Sequence, residues 1–247
     1  MTSLTTCADA EAAAKRAATE IARRLHSARR ERGSAHLALS GGSTPARTYE
    51  LLASELADWS GVELWFADER CVGPQDEQSN YLLAKRTLID AAGGLAPQGI
   101  HRILGELGPE EGAIAYAGEL REHAPAQPAG ADGSPRPPTL DVIVLGIGPD
   151  GHVASLFPGA PTLDADERRL CLGVRDSPKP PPERITLTLP VLHAAQRCVL
   201  LATGAGKADA VNAMLGDANR HVPASLLRRG RLSVIVDDAA SPAPLQR

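Results

Sequence analysis

The chain has 247 residues, 43% hydrophobic and 23% charged, which is material for the core of one large α/β domain. Its net charge of −4 excludes a molecule that attracts nucleic acid through its overall field, so an anionic ligand would need a local cluster of Arg and Lys. No apolar run approaches the ~20 residues of a membrane span, and residues 1–9 lack the basic flank and apolar stretch of a secretory leader.

The four cysteines, Cys7, Cys71, Cys171 and Cys198, are scattered without a C-x-x-C pair. Neither a zinc site nor a disulfide framework is expected, and a reducing cytoplasm is the expected setting. Asp9 to Arg32, rich in Ala, Glu and Arg with no Gly or Pro before Gly33, predicts a helix whose arginines form a solvated face. His36 to Leu39 predicts a short buried strand running into Ser40-Gly41-Gly42-Ser43-Thr44-Pro45. Ala46 to Leu56 then has amphipathic helical spacing, with Thr44 expected as N-cap and Pro45 as first helical residue. A Gly- and hydroxyl-rich loop at a helix N-terminus offers free backbone N–H groups to an anion. It lacks the Lys-Ser/Thr ending of a nucleotide loop and a full G-x-G-x-x-G, which favours a monophosphate.

Val62 to Phe66 predicts the next strand, delivering Asp68, Glu69 and Arg70 at its end. Helices are expected over Tyr81 to Ala92 and Pro109 to His123, with a short strand over Ile100 to Leu104 between them. Ala124 to Thr139 is rich in Pro and Gly without apolar periodicity and predicts a mobile surface loop. Leu140 to Leu145, apolar except for Asp141, reads as a buried parallel strand. It feeds Gly146-Ile-Gly148-Pro-Asp150-Gly151-His152, in which three glycines within six residues allow a sharp turn and a close approach to ligand. A carboxylate and an imidazole two residues apart, beyond the carboxyl end of a buried strand, point to acid–base chemistry.

Further strands are predicted over Leu170 to Val174, Arg184 to Leu189, Arg197 to Thr203 and Leu232 to Val236. Ser177 to Pro182 is proline-rich. Gly204 to Lys207 precedes a helix over Ala208 to Leu215, placing a cation where the helix dipole disfavours one unless an anion is near. Alternating strand and helix predict a three-layer α/β/α sandwich with a mostly parallel, Rossmann-like sheet, residues 1–247 forming a single domain. In such a sheet the turns at 40–44, 68–70, 146–152 and 204–207 converge on one edge, and Arg184 reaches it if its strand runs antiparallel.

These motifs, taken together and in this order, resemble the 6-phosphogluconolactonase family over nearly the whole chain. They are Ser40-Gly-Gly-Ser-Thr-Pro45, Trp65-Phe-Ala-Asp-Glu-Arg70, Gly146 to Pro158, Arg184-Ile-Thr-Leu-Thr188 and Gly204-Ala-Gly-Lys207. The resemblance implies a carboxylic ester hydrolase of the oxidative pentose phosphate pathway that opens 6-phospho-D-glucono-1,5-lactone without metal or organic cofactor. It implies that His152 activates water, while Ser40, Gly41, Gly42, Ser43, Thr44, Arg184 and Lys207 hold the phosphate. The phosphosugar lactone is the expected partner, with no nucleic acid and no membrane, and the chain is expected to be monomeric. The 124–139 loop falls outside the family pattern.

The residues suit that chemistry. An imidazole with an unperturbed pKa of ~6.5 serves as general base. Arg70 is expected at the oxyanion or a sugar hydroxyl, with backbone N–H groups of the glycine turn as further donors. Asp150 either orients the imidazole or holds the turn, and Asp68 bonds either Arg70 or a sugar hydroxyl. The nearest rival is glucosamine-6-phosphate deaminase, which continues Ala-Phe-Asn-Glu-Pro after its His. Here the run is Ala154-Ser-Leu-Phe157-Pro158, and a phenyl ring in the place of that acid transfers no proton. A non-catalytic phosphosugar sensor is the other alternative; it lacks room for a DNA-binding module.

Overall fold

Asp9 caps the first helix by accepting from the Ala12 amide at 2.8 Å, and Gly33, at φ +81°, ends it in the left-handed conformation that a side chain disfavours. Between these stops α1 (Ala10–Arg32) buries a stripe of alanines with Ile21 and Leu25. The computed structural model describes residues 2–92, 99–131 and 133–242. In chain order, β1 (Ser3–Cys7) precedes α1. β2 (Ala35–Leu39), α2 (Ser43–Glu55), β3 (Val62–Phe66), β4 (Asp68–Arg70), α3 (Asn80–Ala84) and α4 (Pro109–His123) follow. The second half holds β5 (Val142–Gly146), β6 (Cys171–Val174), β7 (Arg184–Leu187), α5 (Leu189–Ala194), β8 (Arg197–Ala202), α6 (Ala208–Leu215) and β9 (Leu232–Asp237).

Six strands form the central sheet in the order β1-β9-β8-β5-β2-β3, and every pairing in it is parallel. Val142 to Leu145 at its centre are wholly buried, as strands covered on both faces must be. α1 packs on β1, β2, β8 and β9 and against α2, which in turn covers β5 and β8. This is the mostly parallel, Rossmann-like α/β/α architecture expected from the alternation of elements. A second sheet of three strands, β4-β7-β6, is antiparallel.

From β2 the chain moves outward to β3, whereas from β5 it moves the other way, to β8 and β9. The adjacent β2 and β5 therefore flank the point where strand order reverses, and a crevice opens beyond their carboxyl ends. The two strands are tied at that end by the Ser40 hydroxyl, which donates to the Val144 carbonyl at 2.8 Å.

Several expectations change. Ile100 to Leu104 is not a strand: a single parallel bridge joins Ile100 to Leu64, and the chain then turns away. The turn brings Gly105 onto the Arg70 carbonyl, so closely that a Cβ would lie 2.2 Å from that oxygen. The helix expected over Tyr81 to Ala92 is instead five residues of α3 followed by a π-helical turn, Lys85–Ile89. β1 and α5 were not anticipated, and Asp68 to Arg70, expected as a turn, forms the short strand β4 of the second sheet. The 124–139 segment has no helix or strand among its described residues. It closes on itself through Thr139 N–H to the Pro125 carbonyl (2.9 Å) and the Gln127 amide to the Pro137 carbonyl (2.7 Å).

Candidate active site

A cleft of about 300 Å³ lies at this crevice. The four predicted turns meet there: residues 40–44, Asp68 and Arg70, Gly146 to Gly148 with His152, and Lys207 line it, with Arg184 brought in by β7. That strand does run antiparallel to β4, opposing Arg184 to Arg70 in register.

The Gly146–His152 turn is built around a hydrogen bond from His152 Nδ1 to Asp150 Oδ1, at 2.6 Å. The pair lies directly on Gly148, where a Cβ would stand 2.1 Å from His152 Nδ1 and 2.3 Å from Asp150 Oδ1, so the pair keeps this position only with glycine there. Gly151, at φ +81°, completes the turn. With Nδ1 engaged, Nε2 is the ring nitrogen left for chemistry. Burial pushes the His152 imidazole below its usual pKa, outweighing the Asp150 carboxylate that works the other way, and the Lys179 ammonium adds to the depression. Burial would raise Asp150, but the bond from His152 and the charges of His152 and Lys179 prevail and hold it below the usual carboxylate range. Near neutral pH the pair is thus an ionised carboxylate orienting a neutral imidazole.

The N–H groups of Gly148 and Gly151 bond carbonyls within the turn itself, those of His152 and Gly148 respectively, each at 2.9 Å. Of the backbone donors of the glycine turn, these two are therefore committed to the turn itself. Ala154, also at the cleft, adopts φ +49°, a conformation that costs a non-glycine residue of order 1–3 kcal/mol.

β4 presents its charges by strand alternation. Asp68 faces the cleft, buried, accepting from the Ser155 hydroxyl (2.7 Å) and the Asn80 amide (3.2 Å). Glu69 turns inward, where its carboxylate accepts the N–H groups of Arg70, Asn80 and Tyr81 and the Ser79 hydroxyl. Arg70 points back to the cleft; one Nη donates to the Gln78 carbonyl at 2.5 Å, while Nε is buried without a partner among the described residues. Asn80 Oδ1, another unpartnered buried atom, lies in the same wall beside Gly41, where a Cβ would come within 1.9 Å of it. Asp68 does not bond Arg70; that alternative is not realised.

On the other side, α2 starts at Ser43 with Gly42 as its cap, not Thr44. The Thr44 hydroxyl turns instead to Thr203 at 3.1 Å, linking the first turn of α2 to the end of β8. Pro45 then falls at the third helical position, still within the first turn where a missing N–H costs nothing. Ser43, Thr44 and Pro45 of this turn line the cleft, where the free N–H groups of a helix start suit an anion. Lys207 ends a short 3₁₀ turn immediately before α6 and donates to the Ile147 carbonyl at 2.7 Å. Arg184 is almost fully enclosed, its Nε on the Pro181 carbonyl (3.1 Å) and one Nη on the carbonyls of Lys179 and Pro180 (3.0 Å each). Phe157 stacks obliquely on His152, ring centroids 4.9 Å apart, with the Arg184 guanidinium 5.8 Å above its centre.

The sequence model of the family of glucosamine-6-phosphate isomerases and 6-phosphogluconolactonases matches residues 8–236. The chain belongs to this family. A 6-phosphogluconolactonase of Streptomyces coelicolor is 38% identical over 244 residues, spanning 94% of this chain and 91% of that protein. The Homo sapiens 6-phosphogluconolactonase is 37% identical over 216 residues, spanning 83% and 79%. The crystal structure of 6-phosphogluconolactonase from Leishmania guyanensis superposes with a TM-score of 0.80 at 28% identity and covers 97% of each chain. Among the described residues no helix is long and apolar enough to cross a membrane, and no cluster of His, Cys, Asp or Glu has the makings of a metal site. All four cysteines are free.

Two wall residues escaped the sequence reading. Asn80 sits in a Ser-Asn-Tyr run that matches no binding motif, and Lys179 in a stretch whose sequence character is set by its prolines. Neither carries a local signal, because both reach the cleft through long-range contacts.

Proposed function

We propose that this protein hydrolyses 6-phospho-D-glucono-1,5-lactone to 6-phospho-D-gluconate, His152 acting as general base on water. The observation that carries the mechanism is the His152–Asp150 pair: Nδ1 fixed, Nε2 open, and the imidazole kept neutral by its burial. In this reading the phosphate rests on the first turn of α2 beside Lys207 and the Arg184 side of the cleft. Asp68, Arg70 and the unpartnered Asn80 Oδ1 meet the sugar hydroxyls. Water loses a proton to His152 Nε2 as its oxygen bonds to C1. The tetrahedral intermediate then collapses with cleavage of C1–O5, and the imidazolium returns the proton to O5. The resulting carboxylic acid ionises. The chain acts as a single domain and as a monomer, in the cytoplasm.

The test follows proton release from the phosphorylated lactone, with spontaneous hydrolysis subtracted, for the parent and for His152→Ala. General-base assistance is typically worth 10²–10⁴-fold, so the variant should lose about that much kcat while still binding 6-phosphogluconate. Activity of the parent should fall on acidification only below the usual histidine range, because the neutral form is the active one and its pKa is depressed. Retention of most corrected activity by a folded His152→Ala would move the base elsewhere, first to Asp150.

A further inference from the structure

Beyond the electrostatic effect of its charge on the His152–Asp150 pair, Lys179 has no assigned contact with substrate. It lies in Ser177-Pro-Lys-Pro-Pro-Pro182, a strap whose conformation is fixed from both ends. Ser177 N–H donates to the Pro182 carbonyl at 3.0 Å, and the Ser177 hydroxyl bonds the Lys179 carbonyl at 2.8 Å. Arg184 clamps the other side through the carbonyls of Lys179, Pro180 and Pro181. With four prolines restricting the backbone as well, the strap holds Lys179 at the cleft wall. There its Nζ stands 3.6 Å from Asp150 Oδ1, the same oxygen that accepts from His152.

That placement separates Lys179 from the other cations. Arg70 and Arg184 are register partners in the small sheet, and Lys207 is bound to the Ile147 carbonyl. Lys179 alone among the cleft's Lys and Arg side chains is ion-paired to the general-base dyad. Water attack at C1 creates negative charge on the carbonyl oxygen next to the imidazole, and hydrolysis ends with a carboxylate there. The glycine-turn N–H groups of Gly148 and Gly151 are already bonded within the turn, so they do not meet this charge. We infer that Lys179 is the residue that receives the developing oxyanion and then the product carboxylate, a catalytic residue distinct from the phosphate-binding set. The inference rests on the lactonase reading above.

Lys179→Met tests it. The residue is partly exposed in a loop held by backbone contacts, so the fold should persist. Loss of an oxyanion donor typically costs about 10²–10³-fold in kcat, with KM for the lactone changed far less. Product binding supplies the discriminating readout. Affinity for 6-phosphogluconate should weaken by roughly tenfold or more, the worth of a charge-assisted contact, while glucitol 6-phosphate, which has the phosphate and no carboxylate, should bind as before. Lys179→Arg should recover part of both losses. Equal weakening of the two ligands would make Lys179 a phosphate ligand and overturn the inference, as would unchanged kcat and product affinity. Failure of the parent itself to hydrolyse the lactone would instead remove the functional reading, so the two failures are told apart by the parent control.

Discussion

Within the Gly146–His152 turn, the position of one imidazole depends on the absence of one methyl group. A Cβ on Gly148 would overlap His152 Nδ1 and Cε1 and Asp150 Oδ1, all at 2.1–2.3 Å. These are side-chain atoms, so the turn can survive the substitution while the dyad is pushed aside. Gly148→Ala is therefore expected to fold and to keep its affinity for glucitol 6-phosphate, yet to lose about 10²-fold in kcat, the penalty of misplacing a catalytic group by around 1 Å. Steady-state kinetics beside a binding titration would check the split; a parallel collapse of phosphate affinity would show that the whole rim had moved. His152, Asp150 and Gly148 were legible in sequence because the constraint is local: one turn, three glycines, two polar side chains. Lys179 was not, since its place depends on Arg184 gripping three carbonyls from the next strand. Arg70 and Asp68 were legible as a charged strand end, but strand alternation alone sorted them from Glu69.

At the scale of elements, Glu69 explains how so short a helix as α3 is held. Its buried carboxylate takes the amides of Asn80 and Tyr81 at 2.7 and 2.8 Å, besides its neighbour Arg70 and the Ser79 hydroxyl. Anionic charge at a helix N-terminus is favourable, and here it also satisfies donors that have no other partner. Burial nonetheless lifts the Glu69 pKa, the amide bonds only partly opposing it. Glu69→Ala would strand several buried donors at about 1–3 kcal/mol each, so a loss of roughly 3 kcal/mol or more in urea unfolding is expected. Asp68 and Asn80 share this junction, so activity should fall with stability. An unfolding midpoint equal to the parent's would show that water or rearrangement replaces the carboxylate. The buried strands were read correctly from short Val-, Ile- and Leu-rich runs. β1 was missed because its Ser-Leu-Thr-Thr-Cys is a half-exposed edge with weak apolar patterning, bonded only to the distant β9. Conversely, Ile100 to Leu104 had strand composition but was turned aside at Gly105 by packing against Arg70.

The whole molecule places its candidate site where strand order reverses, and the family to which the chain belongs spans isomerases and lactonases. What a given member does is then decided by a few side chains on the rim. The resemblance to the aminosugar deaminases of this family implies a carboxylate in them where this chain has Phe157, a group able to pass a proton during ring opening. Here Phe157 is buried, wedged between the His152 ring at 4.9 Å and the Arg184 guanidinium at 5.8 Å. An apolar ring against the His152 imidazole offers no proton. In the mechanism proposed above a lactone does not need that acid, because water attack at C1 itself drives ring opening and His152 is the group assigned to return the proton to O5. An aminosugar has no comparably electrophilic carbon until its ring has opened. Incubation with glucosamine 6-phosphate should therefore release no ammonia above the enzyme-free background, under conditions where the lactone is turned over. Steady ammonia release proportional to enzyme concentration would show that another group supplies the ring-opening proton, and Asp68, held at the sugar face by Ser155 and Asn80, would be the first to examine by Asp68→Asn.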